Sequence, residues 1–435
     1  MESVGTAAIG GESLARLAAA TTAGTAVEYY DFYVYASVAA LVFGPLFFPG
    51  LSSTAGTLAA VATVAAAFVA RPVGGVLFGH FGDRFGRKTT LVGSLVAMGV
   101  ATVLVGLVPT YAVLGIAAPL VLVLLRFVQG LAVGGEWAGA VLLATEHAPA
   151  HQRGRYASYP IFGVAAGFLL GNGVLLVLAN LLSDAAFRSW GWRVPFLASV
   201  VLVVIGLYVR VSLGETPAFR ELAARRATAR VPVGELLRYR AGTVLLGVGA
   251  TTVGFLMIFL VATYGLAYGT VRLHLPGTTM ICLAMISYGA AAVPLPLIGT
   301  ASDRWGRRRV CLSACGLAAG WAYPFVWLLA TASPVLVAVA FIVAVAIGFL
   351  LLVTMGAYLP ELFGTRVRYT GAAVSFNLAG LLGGGLAPIV ATALSVGPGI
   401  PWGVAALVLV TAVASLVCVW FLPETTEPRH DLMDA

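Results

Sequence analysis

Charge is what this 435-residue chain has least of: Asp, Glu, Lys and Arg together make up 10% of it. Soluble domains carry about 25%, so too few charges are present to clothe a surface facing water. A cytosolic enzyme, a nucleic-acid binder and a disordered scaffold are excluded on that ground. Lysine is nearly missing, Lys88 being the only one, and there are just 5 histidines and 4 cysteines. Cys282, Cys311, Cys315 and Cys418 fall within or beside apolar runs. Cys311 and Cys315 stand one helical turn apart, yet no His or carboxylate completes a ligand set, so packing thiols are expected and no metal site. No HExxH-like or His-rich signature marks a membrane-embedded enzyme, and the P-loop pattern that would let the chain hydrolyse ATP is absent. No cofactor is expected. The stretch before the first apolar run holds Glu2, Glu12 and only Arg16, which is not the pattern of a cleavable signal peptide.

What is abundant is apolar sequence: 60% of residues are hydrophobic and the mean hydropathy is +0.99. A spanning helix takes about 20 apolar residues. Runs bounded by charge, Pro or Gly predict twelve spans, near 20–45, 55–79, 89–109, 113–144, 157–182, 192–213, 241–266, 278–300, 310–331, 335–358, 370–394 and 402–422. The chain therefore reads as an all-α polytopic membrane protein in contact with lipid. The net charge of +8 is explained by topology rather than by nucleic acid. With both termini and the loops after even-numbered spans on the cytoplasmic side, that side collects twenty basic residues, Arg210 among them. Only Arg188, Arg193 and Arg272 fall outside, and Arg71 and Arg126 lie within spans. Both termini are thus expected in the cytoplasm.

An internal repeat divides the chain. Gly79, Asp83, Arg84, Gly86, Arg87 and Lys88 after span 2 recur as Gly299, Asp303, Arg304, Gly306, Arg307 and Arg308 after span 8. Glu146 and Arg153 after span 4 recur as Glu361 and Arg368 after span 10. Two echoes at half-chain spacing predict duplicated six-helix bundles related by a pseudo-two-fold axis along the membrane normal, with a site between them. The expected units are an N-terminal bundle at 1–213, a solvated linker at 214–240 and a C-terminal bundle at 241–435. In each echo the glycines allow a tight return between helices and the arginines hold the loop in the cytoplasm. The aspartate can accept hydrogen bonds from a neighbouring helix N-terminus. Asp83, Arg84, Arg87, Asp303, Arg304 and Arg307 are therefore the expected cytoplasmic gate.

Charge inside the spans is the candidate machinery. Each such charge costs about 2.5–3.5 kcal/mol on insertion scales, so it must pair or line a wet cavity. Three acids, Glu28, Asp31 and Glu136, stand against two arginines, Arg71 and Arg126, leaving one carboxylate free to take up a proton. Glu28, Asp31 and Tyr35 share one helix face that would point to the central cavity. Asp31 or Glu136 is the expected proton site, with Arg126 responding to protonation; Glu28 stands behind them, a structural ion pair being an equal reading for it. Arg71 or Arg126 can fork a substrate carboxylate; bracing of the gate is an equal reading for Arg71. Asn172, Tyr264 and Asn377 are weaker candidates for the cavity wall. Pro294 and Pro296 read as a kink.

The loop Gly79-His-Phe-Gly-Asp-Arg-Phe-Gly-Arg-Lys88 resembles the signature loop of the major facilitator superfamily. Glu28-Tyr-Tyr-Asp31-Phe32, Ala70-Arg-Pro-Val-Gly-Gly75, Arg126-Phe-Val-Gln-Gly130, Ser189-Trp-Gly-Trp-Arg-Val-Pro-Phe196, Gly214-Glu-Thr-Pro217 and Pro360-Glu-Leu-Phe363 narrow the likeness. Together they resemble its metabolite:proton symporter branch, carriers of proline/betaine, 2-oxoglutarate, citrate and shikimate. The resemblance covers nearly the whole chain. It implies a monomeric transporter of a bacterial cytoplasmic membrane, moving a small organic acid or zwitterion together with protons by alternating access. An uncoupled facilitator is the alternative, and a membrane-embedded enzyme or sensor a distant one.

Overall fold

The computed structural model describes residues 11–211, 220–221, 224, 232–395, 397 and 399–426. Twelve helical segments cross the molecule. The first six are α1 (Gly11–Val38, prolonged by a π-helical turn and a short α-turn to Phe47), α2 (Ser53–Phe85), α3 (Arg87–Leu107), α4 (Ala117–Glu146), α5 (Arg153–Leu181) and α6 (Val194–Val211). The second six are α7 (Ala241–Phe259, prolonged to Val271), α8 (Gly277–Ala292 and Leu295–Trp305), α9 (Arg307–Ala330), α10 (Pro334–Glu361), α11 (Arg368–Gly380, prolonged to Ala393) and α12 (Trp402–Phe421). Ten of these are long and apolar enough to cross a membrane, and α8, bent by 43° at Pro294 where the kink is expected, makes eleven. α1 completes the set: it carries Glu28 and Asp31 yet packs along α5 and α6 as an equal member of its half. No strand occurs among the described residues.

The signature segments are not loops. α2 continues six residues past its expected end to Phe85, and α8 five past its own to Trp305. Each break is a single glycine, Gly86 at φ 118° and Gly306 at φ 96°, values that L side chains avoid. The polar residues do not end the helices because they are satisfied in place. Arg87 pairs with Asp83 at 3.3 Å and Arg307 with Asp303 at 2.7 Å, each across its own break.

Within the halves α1 lies on α5, α2 on α4, and α9 on both α10 and α12. Between the halves α2 meets α11, α5 meets α8 and α10, and α4 meets α11. The α2–α11 approach depends on small residues. A Cβ on Gly79 would stand 2.8 Å from the Thr370 Cα, and one on Gly75 would be 3.3 Å from the Ala373 backbone. Most of the 214–240 linker, including the Gly214–Pro217 motif, lies outside the described residues. Its described helix, Pro232–Tyr239, buries Leu236 and ties Glu235 to Arg366 at 3.2 Å.

Candidate functional site

The end of the molecule that bears the two glycine breaks, called the basic end below, is locked by two related clusters. The Asp83 carboxylate, at the end of α2, accepts hydrogen bonds from the backbone N–H of Tyr369 (3.2 Å) and Thr370 (2.9 Å) and from the Thr370 hydroxyl (2.8 Å). These donors open α11, where the helix dipole favours an anion. Asp303, at the end of α8, accepts from the N–H of Gly154 (2.8 Å) and Arg155 (3.0 Å) at the start of α5. Each aspartate thus crosses from one half to the other. Behind them Arg87 and Arg368 reach Glu146 at 3.7 and 3.4 Å, and Arg307 reaches Glu361 at 3.4 Å. Glu146 and Glu361 were legible as the second echo in the sequence, but nothing there tied them to the gate. Arg84 and Arg304, expected in it, are exposed and turn away, because a residue one step beyond the aspartate lies about 100° round the helix.

Outside the membrane-spanning helices one further group serves this layer. Glu424, just past α12, accepts from the N–H of Arg307 (2.9 Å) and Arg308 (3.1 Å), capping α9. Burial pushes its carboxyl up. Hydrogen bonds from the Thr426 hydroxyl and the backbone N–H groups of Arg307, Thr425 and Thr426 outweigh that and hold it below its ordinary 4.5.

Above the basic end the halves meet along an aromatic seam. Trp137 on α4 stacks on Phe376 of α11 with ring centroids 3.4 Å apart, and Phe168 on α5 stacks on Tyr288 of α8 at 3.9 Å. Tyr33 on α1 joins the Tyr288 hydroxyl at 3.2 Å, and Phe32 and Phe68 both contact Phe259 of α7. Asn377 on α11 donates to the Gly134 carbonyl of α4 at 2.7 Å. Asn172 lies one turn beyond Phe168 on the face that meets α8, with its amide on the Phe168 carbonyl. The halves are therefore in contact at the basic end and through the middle.

The charges inside the spans number six, not five. Arg210, counted above with the cytoplasmic set, is 2% exposed and folds back from the last turn of α6 onto Glu136. Gly24 leaves the slot it fills, since a side chain there would collide with the guanidinium. Ser94 also donates to Glu136, at 3.0 Å. Three acids therefore face three arginines, and the expected surplus carboxylate does not exist. Asp31 accepts from Arg126 at 3.1 Å and from Gln129 at 3.0 Å, and Gln129 also donates to Thr102 of α3. The Arg126 guanidinium lies 3.8 Å from the centroid of the Tyr35 ring, whose hydroxyl pairs with Thr63 at 2.6 Å. Asp31, Tyr35, Arg126 and Glu136 thus point into the N-terminal half, toward α3, α4 and α6, and not into the seam as expected. Tyr264 is also removed from the seam, its hydroxyl held by Ser395 at 2.8 Å.

Glu28 and Arg71 are different. Both are buried, at 2% and 5% exposure, and among the described residues neither forms an ion pair or a hydrogen bond. Glu28 Oε2 and Arg71 Nε are left without partners. The Arg71 guanidinium sits 5.4 Å over Phe32 and 4.8 Å over Phe68, in the seam. It stands twelve residues from Asp83 along α2, about 18 Å at 1.5 Å per residue, which is too far to brace the gate. The six residues by which α2 outruns its expected end at residue 79 put that distance between Arg71 and the gate.

Comparison with known proteins agrees with this architecture. The family model described as sugar (and other) transporter matches residues 17–238 and again 233–435. The inner membrane metabolite transport protein YhjE of Escherichia coli K12 is 44% identical over 416 residues, 94% of each chain. The shikimate transporter of the same organism is 38% identical over 87% of each chain. The proline/betaine transporter of Salmonella typhimurium is 33% identical over 84% of this chain and 75% of its own. In fold, the proton:xylose symporter XylE bound to 6-bromo-6-deoxy-D-glucose superposes with a TM-score of 0.79 over 95% of this chain and 96% of its own, at 18% identity. Matched through both halves by one family model and over 84–94% of its length by the named transporters, the chain belongs to the sugar (and other) transporter family, multi-pass membrane carriers of the major facilitator superfamily and not enzymes.

Proposed function

We propose that the chain is a proton-coupled symporter of a small organic acid or zwitterion, working as a monomer in a bacterial cytoplasmic membrane by rocking of bundles 1–213 and 241–435. The basic end, rich in arginine, faces the cytoplasm, so the described state is closed inward. One observation carries the reading: among the described residues Glu28 and Arg71 are the two charges inside the spans that form neither an ion pair nor a hydrogen bond, and Arg71 lies in the seam.

Charge balance explains how such a pair couples two solutes. Empty, the pair sums to zero. With a carboxylate on Arg71 and a proton on Glu28 it sums to zero again. Either ligand alone leaves one net charge, which costs about 2.5–3.5 kcal/mol in the bilayer interior. Only the empty and the doubly loaded carrier then cross freely. Glu28 is the proton site in this reading. Asp31 and Glu136 stand behind it, each able to release its arginine if protonated. Asn172 and Asn377 contribute to the wall.

The pairing of Asp31 with Arg126 and of Glu136 with Arg210 favours a second reading, an uncoupled facilitator. Proteoliposomes separate the two. Accumulation of an organic acid driven by an inward proton gradient supports symport, and equilibration indifferent to the gradient means facilitation. Glu28→Gln leaves the empty carrier with one net charge and the carboxylate-loaded carrier with none, so it is expected to exchange solute without accumulating it. Full accumulation by Glu28→Gln, together with its loss in Asp31→Asn, would move the proton to Asp31.

A further inference from the structure

At the end opposite the gate, the tips of α7, α9 and α12 enclose an open pocket of about 470 Å³, bordered by Tyr268, Arg272, His274, Ala330, Gly399 and Ile400. Small-ligand sites occupy about 300–1,000 Å³. The polar wall consists of donors. Arg272 gives one N–H to the Gly397 carbonyl, and a guanidinium has five to give. The Tyr268 hydroxyl and the His274 ring have no hydrogen-bond partner among the described residues. No acid within the bundle can answer them. From Ala241 to Pro423 the sequence carries two carboxylates, Asp303 and Glu361, and both are engaged at the basic end. A fixed anion beside Arg272 must therefore come from outside this half.

The surface beside the pocket says which anion. Tyr323, Trp327 and Ala330 fall at i, i+4 and i+7 on one face of α9. Tyr323 and Trp327 are 47% and 55% exposed, and so is 45% of Trp402, whose ring stands 5.8 Å from that of Tyr323. Exposed Trp and Tyr on a membrane protein gather at headgroup level, so this cluster sets the pocket mouth at that depth. Gly320 and Gly316 continue the same face toward the bilayer interior, and a Cβ on either would meet nothing within 4 Å. A shallow furrow thus runs from the pocket down α9.

We infer that the pocket binds an anionic phospholipid of the leaflet opposite the basic end. Its phosphodiester lies on Arg272, His274 and the Tyr268 hydroxyl, and one acyl chain follows the α9 furrow. A guanidinium matches phosphate oxygens in bidentate geometry. A zwitterionic headgroup would bring its own cation beside Arg272, where this half has no acid to receive it. The inference stands whether or not transport is coupled to protons.

Photolabelling tests this on the full chain in phosphatidylcholine nanodiscs. A trace of phosphatidylglycerol, or of phosphatidylcholine, carries a diazirine near the start of one acyl chain, and crosslinked peptides are located by mass spectrometry. Phosphatidylglycerol is expected to label residues 268–274, 323–330 and 399–402 about fivefold or more above the phosphatidylcholine probe, a cation near the surface setting that scale. Unlabelled phosphatidylglycerol should displace the label, and inorganic phosphate should not. Arg272→Gln should lower labelling there about fivefold. Arg188→Gln, which removes an exposed arginine at the same end of the other half, should leave it unchanged. Persistent labelling at the basic end checks that each variant is folded. Equal labelling by the two probes, displacement by inorganic phosphate (which would make this a site for free oxyanions), or full labelling in Arg272→Gln overturns the inference. The first two comparisons use the unaltered protein, so they decide even if Arg272→Gln fails to fold.

Discussion

Neutralising Asp83 gives the sharpest test of the gate. Its two oxygens accept three hydrogen bonds from the start of α11 and pair with Arg87 at 3.3 Å. Asn keeps one acceptor oxygen and turns an NH2 group toward a donor, so two of the contacts are lost. A hydrogen bond to a charged group is worth about 1.5–3 kcal/mol, and the helix-dipole attraction disappears as well. In the open state water serves Asp and Asn alike, so the loss falls almost wholly on the closed state. About 3 kcal/mol corresponds to roughly a hundredfold shift in the closed-to-open ratio. Spin labels at Arg84→Cys and Arg304→Cys, both exposed on opposite halves of the basic end, report that ratio as a distance distribution once Cys282 and Cys418 are replaced by Ser. The unaltered gate should give one short population, and Asp83→Asn a majority of longer distances. An unchanged distribution in both Asp83→Asn and the Asp83→Asn/Asp303→Asn double variant would refute the reasoning.

Gly79→Val places a branched side chain against the Thr370 backbone, where even a Cβ would stand at 2.8 Å; it should bias the same label pair toward long distances without touching any charge. Arg210→Met leaves Glu136 buried and unpaired, a loss of about 3–5 kcal/mol, read as a lowered melting temperature in detergent. Most of that should return in Arg210→Met/Glu136→Leu, and a single variant that melts like the parent would show the pair to be dispensable. Glu424 supplies a pH dependence. Its carboxyl lies below the ordinary 4.5, so the cap on α9 is complete above 4.5 and is lost as pH falls through the lower, folded value. Melting temperatures of the parent and Glu424→Gln should therefore differ at pH 7 and converge in acid, and a constant difference down to pH 3 would contradict it.

Much of this was legible in the sequence, and particular residues show where legibility stopped. The twelve spans, the duplicated halves and the family followed from run length, spacing and motif. The Asp83 and Asp303 clusters were found because both are written twice. Arg210 was misplaced although it lay inside an expected span, because a basic residue in a helix's last turn usually faces water, and only the slot at Gly24 brings it inward. On α1, spacing told which residues share a face but not which neighbour that face meets. The polar edge, Asp31 and Tyr35, turns into its own half, and the aromatic edge, Tyr29, Phe32 and Tyr33, lines the seam. Glu28 sits on the border between the two. Gln129, Thr102, Ser94 and Thr63 carried no signal, since uncharged polar residues are scattered through many spans.

All six charges buried between the ends of the helices belong to the N-terminal bundle, and the described helices of the other bundle have none away from their basic ends. This matters for biogenesis. The ribosome delivers the costly half first, before any of the second has been made. Two internal pairs, α1 with α4 and α4 with α6, neutralise four of those six as soon as the sixth helix enters the lipid. The first bundle can thus reach a settled shape alone, and the later, oilier one inserts as a plain wall against it.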